Sequence, residues 1–171
     1  MRFIVIKYGL IAGGILAFVM IVTLPFTREW MQQGYLEMVT ISTFVVGLST
    51  IFFGMRAYHQ TLAKVSFGKS LLIGILITLI AGMINALAWE VCYQTAFQDF
   101  PEQFVERNIH RLKEAGKTDA EIEVEIVAVK EMMNAYNGNI LLRLFLSFTE
   151  IIPLGIVISL ASAMVFRLRQ K

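Results

Sequence analysis

Four long stretches with almost no charge govern what this chain can become. Tyr8 to Thr27, Met38 to Met55 and Ser70 to Trp89 carry no charged residue, and Leu144 to Phe166 contains one acid, Glu150. Each approaches or exceeds the roughly 20 residues an α-helix needs to cross a hydrocarbon core about 30 Å thick. The apolar residues come in unbroken runs, not in the stripes of a soluble amphipathic helix. Barrel strands would alternate apolar and polar residues over about ten positions, so helices are left as the way to satisfy the backbone in lipid. Composition agrees, with 57% hydrophobic and 16% charged residues against roughly 25% charged in soluble domains. The expected fold is an all-α integral membrane four-helix bundle, one domain over 1–171, with spans at about 5–26, 38–56, 70–97 and 140–166.

The first run follows Arg2 and Lys7, as the core of a secretory signal would. It is longer than such a core and ends in Thr23, Leu24, Pro25 and Phe26 with no small-x-small cleavage pattern, so it is expected to be retained as a span.

Basic residues set the expected orientation. Residues 1–7, 56–69 and 167–171 hold Arg2, Lys7, Arg56, Lys64, Lys69, Arg167, Arg169 and Lys171 with no acid, while 28–37 and 98–139 hold eleven of the thirteen acids and six basic residues. Short basic loops stay on the cytoplasmic side. Both termini are therefore expected in the cytoplasm, with the basic face against anionic lipid headgroups and no nucleic-acid partner. Cys92 is the single cysteine. It suits a packed thiol near a helix end, or a disulfide between two copies.

Residues 99–137, the main polar segment, read as an external amphipathic helical hairpin between spans three and four. Pro101 suits a first helical turn, and Val105, Ile109 and Leu112 recur at helical spacing until Gly116. Thr118 and Glu121 then form a T-x-x-E capping box. Ile122, Ile126, Val129, Met133 and Tyr136 give the second helix one apolar stripe, ended by Asn137 and Gly138. Asp119, Glu121, Glu123 and Glu125 are spaced by two, which scatters them around a helix instead of gathering them on a metal.

Catalytic motifs are missing. No H-E-x-x-H pair, G-x-S-x-G turn or phosphate-cradling loop occurs, and Phe67-Gly68-Lys69-Ser70 lacks the upstream glycine of a nucleotide-binding loop. His59 and His110 are expected on opposite sides of the membrane. No catalytic residue, metal ligand or cofactor is expected. The candidate site residues are the intramembrane polar groups Asn85, Glu90, Arg143 and Glu150, which are costly in lipid and usually face other helices or water. From a rise of about 1.5 Å per residue, Glu90 and Arg143 fall at similar depth near the external boundary and are expected to pair. Glu150 falls near mid-membrane with Asn85 somewhat above it. Pro153 leaves the carbonyl of Thr149 without its usual donor, which can open a kink beside Glu150. Gly9, Gly13, Gly74 and Gly82 suit close helix packing, within the bundle or across a homodimer.

The chain also resembles a family of small four-span bacterial membrane proteins, the domain of unknown function 4199. The resemblance rests on Tyr8-Gly9-Leu10, Gly54-Met55-Arg56 with Tyr58, Phe67-Gly68-Lys69, Trp89-Glu90 with Tyr93, Asp99-Phe100, the Glu-rich hairpin, and Glu150 with Pro153-Leu154-Gly155. It implies a bacterial inner membrane, offers no activity and carries over no functional residue. The leading expectation is a non-enzymatic protein that engages another membrane component, a membrane-protein partner or a second copy among them, through its bundle or hairpin. The competing reading is a small transporter or channel that moves protons or ions past Glu150 and Asn85. An intramembrane enzyme is a third.

Overall fold

The computed structural model describes residues 1–62 and 64–169, and the side chains of all of these except Arg28, Met31, Gln32 and Arg169. Lys171, counted among the basic residues of the terminal side, lies outside the described residues. The chain is an all-α membrane helical bundle. Among the described residues, four helices are long and apolar enough to cross a membrane: Arg2–Phe26, Leu36–His59, Phe67–Ala96 and Ile140–Leu168. Their bounds differ from those expected by at most three residues.

Span one is α1 (Arg2–Thr23) closed by a single 3-10 turn, Leu24–Phe26, where Pro25 cannot supply an amide donor. A short helix, α2 (Thr27–Gln32), follows where the sequence reading has only a loop. Gly34, at φ 78°, then turns the chain into span two. Span two is two helices in line, α3 (Leu36–Leu48) and α4 (Thr50–His59), with Ser49 between them. The Ser49 hydroxyl donates to the carbonyl of Val46 at 2.6 Å, and that of Thr50 to Gly47 at 2.8 Å. Such back-bonding competes with the amide ladder and bends helices.

Span three, α5 (Phe67–Ala96), starts at Ser66, whose hydroxyl accepts from the amide of Lys69. It is the hub of the bundle, packed against α1 on one side and α8 on the other. Span four, α8 (Ile140–Arg169), runs through Pro153 as one α-helix. Small residues allow the close approach. A side chain at Gly9 or Gly13 would strike Ile80 or Ile84 of α5 at 2.7 and 2.6 Å, and one at Gly82 would strike Ile151 of α8 at 2.8 Å. Gly74 abuts Ser159 and Met55. All four candidate glycines therefore face partners in their own chain. Gly47 against Leu16, Gly54 against Ile77 and Gly155 against Thr78 do the same, although the sequence reading does not single them out.

Four antiparallel spans leave both termini at one end, where Val5, Tyr58, Val65 and Phe166 belong to one apolar core. The hairpin closes the other end. It comprises α6 (Phe100–Glu114) and α7 (Asp119–Gly138), which pack on each other. The turn between them is a Schellman motif: the amide of Gly116 bonds the carbonyl of Lys113, and that of Lys117 the carbonyl of Leu112, with Gly116 at φ 78°. The capping box is complete, since Thr118 Oγ1 accepts from the Glu121 amide and Glu121 Oε2 accepts from the Thr118 amide. Ile122, Ile126, Met133 and Tyr136 form the buried face of α7. Arg107 of α6 reaches Glu37 at 2.6 Å and fastens the hairpin to the start of span two.

Candidate functional site

The four intramembrane polar residues separate into two places. Glu90 and Arg143 meet where the hairpin joins the bundle. Arg143 donates from Nε to Glu90 Oε2 at 2.8 Å and from Nη2 to Glu90 Oε1 at 2.7 Å, in the two-pronged geometry that a planar guanidinium offers a carboxylate. The pair is nearly sealed, with side chains 4% and 10% exposed. Gln94 donates to the same carboxylate, and the guanidinium lies 4.4 Å from the centre of the Tyr93 ring. Nη1 donates to the carbonyls of Tyr136 and Asn137 at 2.9 and 2.8 Å. Those carbonyls belong to the last turn of α7, where helix acceptors run short of internal donors; that of Tyr136 also accepts, at 3.5 Å, from the Asn139 amide. One arginine thus holds span three, span four and the hairpin together, and this pair is a structural clasp.

Aromatic groups complete the joint. Trp89 Nε1 donates to the Tyr136 hydroxyl at 2.6 Å, and Tyr93 donates to Asn137 Oδ1 at 2.8 Å. Phe97 stacks on Trp89, and Phe100 meets both Trp89 and Tyr136. Burial of the Tyr136 hydroxyl pushes its phenol up to about 12. Cys92 is 4% exposed inside this cluster, a packed free thiol.

Below the joint lies a chamber of about 390 Å³, walled by all four spans and roofed by Phe97, Phe100 and Tyr136 at the base of the hairpin. Asn85 and Glu150 are both on its wall. So are Thr40, Ser147 and Trp89, which the sequence reading does not name as site residues. Helical spacing could have found two of them, because Ser147 is three residues before Glu150 and Trp89 four after Asn85. Asn85 is 3% exposed, and its Oδ1 accepts no hydrogen bond among the described residues. Glu150 has no hydrogen bond or ion pair among the described residues. It stands ten residues into α8, about 15 Å along the helix. Leu146 and Glu150, one turn apart, line the chamber and are also exposed, so the chamber opens along that edge of span four. Span two packs on α8 mainly through α4, leaving α3 to border the opening. The floor is apolar: Leu16 lines it, with Leu48, Ile51, Ile77 and Ile151 fully buried in the core beyond.

Such a fold and site define a multi-pass α-helical membrane protein with an intramembrane chamber in the half of the bundle nearer the hairpin. The family model of proteins of unknown function DUF4199 matches residues 7–167, and the chain belongs to that family. No curated protein and no solved structure matches the chain.

Proposed function

We propose that this is a non-enzymatic protein of the bacterial inner membrane, with both termini in the cytoplasm, that takes up another membrane component in the chamber between its spans. The observation that carries this reading is Glu150, an acid without a partner among the described residues, on the wall of a 390 Å³ chamber. A mostly apolar cavity of several hundred Å³ with a few polar groups is the usual form of a small-molecule site. An unpaired mid-span acid is costly to keep, which favours a use for it. The opening beside Leu146 and Glu150 suits a molecule arriving from the bilayer.

The chamber shared by Glu150 and Asn85 also supports the transport reading, against which stands the apolar floor. Purification from native membranes followed by mass spectrometry of bound small molecules separates the two. A defined occupant in the wild type, lost in folded Thr40→Phe, is expected for uptake. Proton or cation flux in liposomes that Glu150→Gln abolishes, with no occupant recovered, would overturn uptake in favour of transport.

A further inference from the structure

We propose that the occupant is a hydrophobic amine, whose protonated nitrogen pairs with Glu150 while its apolar body fills the rest of the chamber. The inference rests on the reading of the chamber as a binding site and adds the chemical class of its ligand. Charge is the first argument. Glu150 is the one acid on the wall, and no Lys, Arg or His side chain lines the chamber among the described residues. The cation closest along the same helix, Arg143, is committed to Glu90 and to two carbonyls. An anionic ligand would therefore meet a carboxylate with no compensating charge, whereas an ammonium would supply the missing partner.

The rest of the wall suits the same ligand. Trp89, Phe97, Phe100 and Tyr136 line the chamber as one aromatic cluster, with ring centres 5.4 to 5.9 Å apart along it. Aromatic faces carry negative potential and attract ammonium groups. Leu16, Val19, Met20, Val39, Phe44 and Leu146 supply the apolar surface for a hydrocarbon body.

Proton balance makes the pairing affordable in a low-dielectric site. Glu150 without a ligand is least costly as the neutral acid, and an amine crosses lipid as the neutral base. When they meet, the carboxyl proton of Glu150 moves to the amine nitrogen, leaving a carboxylate paired with an ammonium. The resulting ion pair has no net charge.

The test uses phenylbutylamine, phenylbutanol and phenylbutyrate, three molecules of similar size that present a cation, a neutral group and an anion. Their binding to the full chain in phosphatidylcholine nanodiscs is read by the rise in unfolding temperature with concentration, with empty discs as the blank. The amine is expected to bind at least about tenfold more tightly than the alcohol, as close charge pairs do elsewhere. Glu150→Gln, which keeps shape and hydrogen bonding, is expected to bring the amine to the level of the alcohol and leave the alcohol unchanged. Equal binding of amine and alcohol in the wild type, or amine binding untouched by Glu150→Gln, overturns the amine inference while leaving the chamber as a binding site. If none of the three binds, or if binding survives in folded Thr40→Phe, the binding-site reading fails and takes the amine with it.

Discussion

At the scale of single residues, Arg143 carries more of the structure than its partner does. Replacing Arg143 takes a partner from Glu90 and also the guanidinium donor from the carbonyls of Tyr136 and Asn137, the first of which keeps only the 3.5 Å bond from the Asn139 amide. Breaking a buried pair typically costs 3–5 kcal/mol, roughly, because the remaining charge is stranded. Arg143→Gln is therefore expected to lower thermal stability in detergent more than Glu90→Gln, and the double mutant to lose less than the sum of the two. The swap Glu90→Arg with Arg143→Glu should recover only part, since it sets a carboxylate against the two carbonyls. Additive single losses would show that the residues act apart. Tyr136 gives a second expectation. Its phenol is raised from the usual value near 10 to about 12, so its stabilising contribution is complete below pH 10 and is lost as pH rises through 12. An ultraviolet titration should show late tyrosinate absorbance that is reduced in Tyr136→Phe; undiminished late absorbance in that variant would contradict it. The Glu90–Arg143 pair was legible in the sequence because both depths could be counted from span ends. Trp89 to Tyr136 and Tyr93 to Asn137 were not, since those partners lie 47 and 44 residues apart with a hairpin between them.

Elements were legible wherever a hydropathy run or a cap marks them. The four spans, the capping box and the stripe of α7 all follow from local pattern. The break at Ser49 did not, because the apolar run continues through it and hydropathy does not register a hydroxyl bonded back to the helix. Nor did α2, too short and too polar to stand out. The chamber is legible only in part: Asn85 and Glu150 stand out as polar groups in apolar runs, while Thr40 and Ser147 read as ordinary small residues. Helix packing supplies a sharp test in two neighbouring glycines. A Cβ at Gly13 would lie 2.7 Å from Cβ of Ile84, whereas one at Gly14 meets nothing within 4 Å. Gly13→Ala is expected to cost about 1–3 kcal/mol as overpacking, and Gly14→Ala to be neutral or to stabilise by up to about 1 kcal/mol through helix propensity. Equal effects in thermal unfolding would mean that α1 does not pack on α5 as described. In the hairpin, Thr118→Ala removes half of the capping box and should cost roughly 1 kcal/mol. Its hydrogen bonds hold the Glu121 carboxyl below the usual carboxylate range. That contribution is present above pH 4.5 and fades as pH falls through the lowered value. Circular dichroism of the chain should therefore show an acid loss of stability that Thr118→Ala diminishes; an unchanged acid response would remove the cap from the account.

At the scale of the whole molecule, the two ends of the bundle differ in charge as well as in shape. The end that holds both termini carries Arg2, Lys7, Arg56, Lys64, Lys69 and Arg167 and no acid. The hairpin end carries Glu29, Glu37 and nine further acids between residues 98 and 139. Basic residues close to span ends resist translocation, while acids contribute little to the choice. Since the basic positions flank all four spans at one end, each span gives the same preference, and no helix must be inserted against its own flanks. The expected orientation keeps the termini in the cytoplasm and places the hairpin and the roof of the chamber on the far side, so that the apolar floor faces the cytoplasm. A reporter that works only in the cytoplasm should be active when fused after Lys171 and silent when inserted at Gly116. That site is suited to insertion, because Gly116 sits at a positive-φ turn with open space around it. Replacing Lys64 and Lys69 with glutamine should leave the pattern intact, because Arg2, Lys7, Arg56 and Arg167 still mark the same end. A reporter active at Gly116 and silent after Lys171 would reverse the orientation and put the chamber on the cytoplasmic side.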